Sequence, residues 1–209
     1  MNLKKFKNEI LDAPFLFNLV RSILIGGKTK MYTQIKNAVN ANPNSRVLDV
    51  GCGTGEFAFL FNESVDYTGI DLNKHFLAHA SLTYKNQNKR FIQMNAAKMD
   101  FKQKEFDIVL LLSFMHHFPG ETLNKILKEV NRVAKSRIIV LDPIPRKYNP
   151  LSKLFYALDR GDFIRNKKEQ LTVLDKHFKI EGYKEFKTGL YTLSIIQCSP
   201  NPQQKTSLQ

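Results

Sequence analysis

Three glycines at alternate positions, Gly51, Gly53 and Gly55, follow directly on a short apolar run, and that junction constrains the chain more than any other stretch. From Arg46 to Phe57 it reads R-V-L-D-V-G-C-G-T-G-E-F. Val47, Leu48 and Val50 make a β-type run, Asp49 is its acidic residue, and a helix-like run follows from Glu56 to Phe61. A strand that turns through glycines into a helix is the first turn of a nucleotide-binding α/β fold. Glycine permits positive φ and lets backbone approach a ligand that a Cβ would hold away. A helix start beyond it is expected to offer unpaired N–H groups and partial positive charge, a seat for carboxylate or phosphate. Spacing then selects the ligand. A dinucleotide fingerprint needs its third glycine three residues after the second, and Glu56 stands there; the spacing is G-x-G-x-G.

With Asp49 inside the strand, V-L-D-V-G-C-G-T-G resembles motif I of the class I S-adenosylmethionine-dependent methyltransferases, in their small-molecule form. The resemblance runs from about Arg46 to Cys198, specific in its first half and architectural in its second. It implies a Rossmann-like α/β fold: a seven-stranded, mostly parallel sheet with helices on both faces and an antiparallel C-terminal strand. The implied cofactor is S-adenosyl-L-methionine, leaving as S-adenosyl-L-homocysteine. It would be held by Asp49, Gly51, Cys52, Gly53 and Gly55, and by Leu112 at the end of the fourth strand.

Val65 to Ile70 reads as the second strand, closed by Asp71. Asp71 lies 20 residues beyond Gly51, the separation at which an acidic side chain meets a ribose. An ionised carboxylate only accepts hydrogen bonds and can take both protons of a cis-diol. The resemblance places Leu72 against the adenine. Asn73 is the expected cap of a helix that turns Phe76, Leu77, Ala80 and Tyr84 inward. After the third strand, Arg90 to Met94, the family usually carries an Asp that holds the adenine amine. Asn95 stands in its place, able to accept that bond without charge, and Ala96 and Ala97 would contribute backbone contacts.

Glu105 to Leu112 is apolar enough for a strand buried on both faces. It leads into Ser113-Phe114-Met115-His116-His117-Phe118, which resembles the family's motif IV. Ligands of open α/β sheets gather at the carboxyl ends of strands, so this loop is expected to face the reaction. His116 or His117 is the candidate general base where the acceptor must lose a proton. Neither a D-P-P-Y-like motif nor a Pro-Cys pair occurs at this place; Asp142-Pro143-Ile144-Pro145 falls one strand later.

Residues 1–42 read as an N-terminal helical cap. Leu16 to Leu24 has helical spacing, Gly26-Gly27-Lys28 breaks it, and a second helix is expected from Met31 to Val39. The methyltransferase domain would occupy residues 43–198. Leu123, Ile126, Leu127, Val130 and Val133 draw an amphipathic helix, and Arg137 to Leu141 is the fifth strand. Within a helical insertion at 143–177, the stripe Leu151, Leu154, Phe155 and Leu158 is either core or acceptor lid. A helix over Lys167 to Lys176 and strands at Phe178–Phe186 and Leu190–Cys198 close the fold. Residues 199–209, polar with two prolines, are expected to be disordered.

Two cysteines, Cys52 and Cys198, have neither metal-ligand spacing nor the look of a disulfide pair, so no metal and a reducing, cytoplasmic setting are expected. No apolar run approaches the ~20 residues of a membrane span, and Arg21 argues against a signal peptide. The net charge of +13 is dispersed along the chain. A lysine-rich solvated surface accounts for that; an RNA substrate or an anionic membrane surface is the sharper alternative. The readings left open are a methyltransferase for a small-molecule or lipid-like acceptor, an RNA methyltransferase, and a catalytically silent cofactor-binding protein. No obligate protein partner is evident.

Overall fold

The structure, a computed structural model, describes residues 28–85, 87–145, 163–189 and 191–202. In chain order the strands are β1 (Arg46–Val50), β2 (Asp66–Asp71), β3 (Lys89–Gln93), β4 (Phe106–Leu112), β5 (Ala134–Ile144), β6 (Phe178–Thr188) and β7 (Tyr191–Pro200). The helices are α1 (Lys28–Val39), α2 (Lys74–Thr83), α3 (Gly120–Val133) and α4 (Lys167–Asp175), and short 3-10 turns cover Ala58–Leu60 and Met115–His117.

The strands form one seven-stranded sheet in the order β3-β2-β1-β4-β5-β7-β6. The first five pair in parallel. Strand β7 runs antiparallel to both β5 and β6, so β6 points with the first five. The order reverses between β1 and β4, and that switch point is where a doubly wound sheet opens a crevice at its carboxyl edge.

Alternation along β4 shows why the strand is apolar throughout. Ile108, Leu110 and Leu112 join Met31 and Ile35 of α1 on one face. Val109 and Leu111 join Leu123, Ile126, Leu127, Val130 and Val133 of α3 on the other. All five of those α3 residues are buried, so the stripe legible in the sequence is the helix's core face. Asn73 caps α2 as expected, accepting from the N–H groups of His75 and Phe76 at 3.0 and 3.2 Å.

Three expectations are corrected. The run Glu56–Phe61 yields only the 3-10 turn Ala58–Leu60. Its aromatic residues are modest helix formers, and Asn62 at once draws the chain into a side-chain turn, its Oδ1 accepting from Ser64 N–H and Oγ. No helix dipole therefore stands behind the glycine loop. Strand β5 continues past Leu141 through Asp142, Pro143 and Ile144, because β7 supplies partners as far as Thr192. Ser199 and Pro200 are not disordered but pair with β6, and Asn201 N–H donates to Asn131 Oδ1 at 2.8 Å. The helix expected at Leu16–Leu24 and the Leu151–Leu158 stripe lie outside the described residues.

Candidate active site at the switch point

The glycine loop leaves β1 with all three glycines left-handed, at φ of 74, 54 and 75° for Gly51, Gly53 and Gly55. Its amides are engaged on the β2 side. Gly51 and Cys52 N–H both donate to the Ile70 carbonyl, and Gly53 N–H donates to Asp71 Oδ2 at 2.9 Å. The other oxygen of Asp71 takes the Asn73 N–H at 2.8 Å. A carboxylate offers about four lone-pair positions, so Asp71 can brace the loop and still accept two further donors.

Two glycines do different work here. A Cβ on Gly51 would lie 2.1 Å from Cδ2 of Phe114, which no side chain tolerates. A Cβ on Gly53 would meet nothing nearer than Phe76 at 4.0 Å. Gly51 makes room for a ring of the protein, whereas Gly53 leaves its open side for something outside it.

The expected site residues divide into two groups. Asp49 and Cys52 are buried beneath the loop. Asp49 Oδ2 accepts the Tyr67 hydroxyl at 2.6 Å, and burial, with Asp49's charge beside it, holds the Tyr67 phenol well above its ordinary range. The Cys52 thiol fills the space that Gly69 leaves, 2.7 Å from where a Cβ would sit. Burial, then the charges of Asp49 and Asp71, raise it well above a normal thiol. These two side chains support the loop from inside the sheet and do not line its mouth. Leu112 is likewise buried, at the end of β4. Asp71, Leu72, Asn95 and Ala96 lie at the carboxyl edge, and Leu72 is 60% exposed. The Asn95 amide oxygen is already engaged, accepting the Ala97 N–H at 2.9 Å.

The loop after β4 begins with a bend. Ser113 adopts φ 54°, unusual for a residue with a side chain, and its N–H donates to the Leu141 carbonyl. This turns Phe114 back onto Gly51 and against Phe118, with ring centroids 4.8 Å apart. His116 is buried, its Nδ1 sharing a 2.8 Å hydrogen bond with Asp142 Oδ1 at the end of β5. Asp142 Oδ2 is buried with no hydrogen-bond partner among the described residues. His117 is half-buried, its ring 4.2 Å from that of His116.

Sequence reasoning missed what holds this loop. Arg165 donates to the carbonyls of Met115 (2.9 Å) and Phe118 (2.7 Å), and Phe163 N–H donates to that of His116 (3.0 Å). Burial lowers the proton affinity of the Arg165 guanidinium, and the charge of Asp142 opposes that shift. Behind it, Gln170 donates to the Pro143 and Arg165 carbonyls, and the Ser194 hydroxyl shares its one proton between Gln170 Oε1 at 2.6 Å and the Asp142 carbonyl at 3.1 Å. Glu56 was missed too. It accepts from Lys28 at 2.7 Å and the Tyr32 hydroxyl at 2.9 Å, fastening the start of α1 to the glycine loop. Among the described residues no cluster of His, Cys, Asp and Glu could hold a metal ion.

A family model for the methyltransferase domain matches residues 47–137, the span that contains both loops. That span carries a methyltransferase domain of the class I S-adenosylmethionine-dependent kind. The chain is 28% identical over 141 residues to a phosphatidylethanolamine N-methyltransferase of Cereibacter sphaeroides, covering 64% of this chain and 68% of that protein. It is 23% identical over 191 residues to a ubiquinone/menaquinone biosynthesis C-methyltransferase of Vibrio vulnificus, covering 83% and 73%. The magnesium protoporphyrin IX methyltransferase of Synechocystis, solved with bound S-adenosylhomocysteine, shares the fold with a TM-score of 0.69. Its identity is 20%, over 95% of this chain and all (100%) of that one. The methyltransferase fits its cofactor at the glycine loop, where Gly53 leaves an open cradle that any Cβ would narrow and Asp71 keeps acceptor capacity beside it.

Proposed function

We propose that this methyltransferase transfers the methyl group of S-adenosylmethionine to a small-molecule or lipid-like acceptor entering over the Ser113–Phe118 loop. The observation that carries the reading is the pairing at the switch point of an open Gly53 with the braced Asp71 carboxylate. The names of the relatives support the acceptor class, one acting on phosphatidylethanolamine and another in ubiquinone and menaquinone biosynthesis.

S-adenosylmethionine supplies a methyl group already activated on a sulfonium, so the protein's task is mainly alignment, which can lower a barrier by ~7–11 kcal/mol. Asp71 accepts the ribose hydroxyls while its bonds to Gly53 and Asn73 fix its orientation. Phe114, seated on Gly51, joins the cofactor loop to the acceptor loop. Of the two histidines, His116 is sealed against Asp142 and braces the turn, and His117 is assigned as the proton acceptor where the substrate must lose one.

The test is binding. S-adenosylmethionine or S-adenosylhomocysteine raises the melting temperature and NAD does not. Asp71→Ala removes charge-assisted hydrogen bonds of ~1.5–3 kcal/mol each, lowering affinity at least ~10-fold in calorimetry. Unchanged affinity would defeat the ribose assignment.

A further inference from the structure

Beside the glycine loop, the carboxyl edge of β2 and β3 turns hydrogen-bond donors outward. Strand β3 pairs on the outer side of β2 with Gln93 opposite Asp71, and the chain leaves it through Met94 and Asn95. Along that exit one acceptor after another is bonded within the protein. The Asp71 carbonyl accepts the Met94 N–H at 3.1 Å, and the Leu72 carbonyl accepts from Gln93 Nε2 at 3.1 Å. The Asn95 carbonyl accepts the Lys98 N–H at 3.0 Å, and its side-chain Oδ1 accepts the Ala97 N–H at 2.9 Å.

That last bond fixes which way the Asn95 amide faces. A backbone N–H only donates, so the branch that meets Ala97 is the oxygen and the NH2 is the other branch. Flipping the amide would set donor against donor and undo the side-chain turn. Asn95 is exposed, and neither its Nδ2 nor the neighbouring Ala96 N–H donates to any acceptor among the described residues. Leu72, exposed at the end of β2, offers a flat ring an apolar face next to these donors. Adenine presents ring nitrogens that accept and an amine that donates. An edge of free donors suits the ring nitrogens and opposes the amine.

We propose that Asn95 is a specificity-determining residue of the cofactor site, donating through Nδ2 to a ring nitrogen of the adenine and leaving the adenine amine without a partner there. This reverses the accepting role expected of Asn95 from the sequence. It rests on the reading that S-adenosylmethionine binds at the glycine loop, with its ribose at Asp71 and its base over Leu72.

The experiment is calorimetry with S-adenosylhomocysteine and with its analogue whose base is purine, which lacks the 6-amino group and keeps every ring nitrogen. The wild-type chain is expected to bind the two within about threefold, whereas an amine held by a neutral hydrogen bond would separate them by up to ~10-fold. Asn95→Asp keeps an oxygen for the Ala97 N–H and puts a second oxygen where Nδ2 stood. A carboxylate facing a ring-nitrogen lone pair loses the bond and adds repulsion, so affinity for S-adenosylhomocysteine is expected to fall at least ~10-fold. The measurement is made in about 1 M salt, where charges farther apart than ~3 Å are screened, so repulsion from Asp71 does not supply the loss. If Asn95 accepted from the amine, the same change would place charge on that bond and tighten binding. Tighter or unchanged binding by Asn95→Asp overturns the proposal, as does a wild-type preference for the amine of more than threefold. The wild-type comparison needs no variant and decides even where Asn95→Asp fails to fold. If neither ligand binds the wild-type chain, the cofactor reading fails and this inference with it; binding of both with the wrong preference defeats this inference alone.

Discussion

Replacing Gly51 by alanine tests whether the cofactor loop and the acceptor loop are packed as one unit. The backbone there is left-handed, at φ 74°, which costs an L-residue ~1–2 kcal/mol. The new methyl would also sit 2.1 and 2.5 Å from Cδ2 and Cε2 of Phe114. Forcing an extra carbon into a packed site adds ~1–3 kcal/mol, so Gly51→Ala is expected to destabilise by about 2–5 kcal/mol in total. Phe114→Ala alone loses a buried aromatic side chain, about 3–5 kcal/mol. In the double variant the clash disappears and only the backbone strain remains, with the added methyl filling part of the vacated space. The two losses are then less than additive by ~1–3 kcal/mol, a coupling expected only of residues in contact. Urea unfolding of the four proteins measures it. Additivity within ~0.5 kcal/mol would refute the contact, and with it the claim that the two loops are joined.

Two further outcomes follow from neighbouring geometry. Ser113→Gly is expected to be neutral within ~0.5 kcal/mol, whereas Ser113→Val, a β-branched residue at φ 54°, destabilises by more than ~1 kcal/mol; thermal melts of the pair decide it. In acid, the Arg46 N–H, ahead of Lys135, holds the Asp107 carboxyl below its ordinary 3.8. Its folded-state value is depressed, so its stabilisation is complete above that ordinary value and lost as pH falls through the folded one. Asp107→Asn should flatten the fall of melting temperature with pH in that window, and an unchanged slope would count against it.

The parts of the fold legible in the sequence are those set by neighbours in the chain. Strand β1, the three glycines, the Asn73 cap and the core stripe of α3 all follow from local pattern, because periodicity and backbone freedom are local properties. A side chain's direction is less legible. Asp49 sits on a strand covered on both faces, whose positions from Val47 to Val50 are all buried. An acidic residue persists there because the Tyr67 hydroxyl from the neighbouring strand reaches it. That partner depends on strand register, which one strand's pattern does not disclose. Cys52 is the same case, its thiol fitted to the gap at Gly69.

The acceptor side was least legible because its parts come from four separate places in the chain. The sequence places His116 and His117 after β4 without saying which is inside. Asp142 at the end of β5 decides it by pairing with His116. The turn that carries both is held by Arg165, whose guanidinium bridges two backbone carbonyls that no motif marks as special. Arg165 is in turn positioned from α4 and β7 through Gln170 and Ser194. The glycine loop thus owes its form to its own residues and to β2, through the Ile70 carbonyl and the Asp71 carboxylate. The loop opposite owes its form to the end of β5 and to segments that follow it.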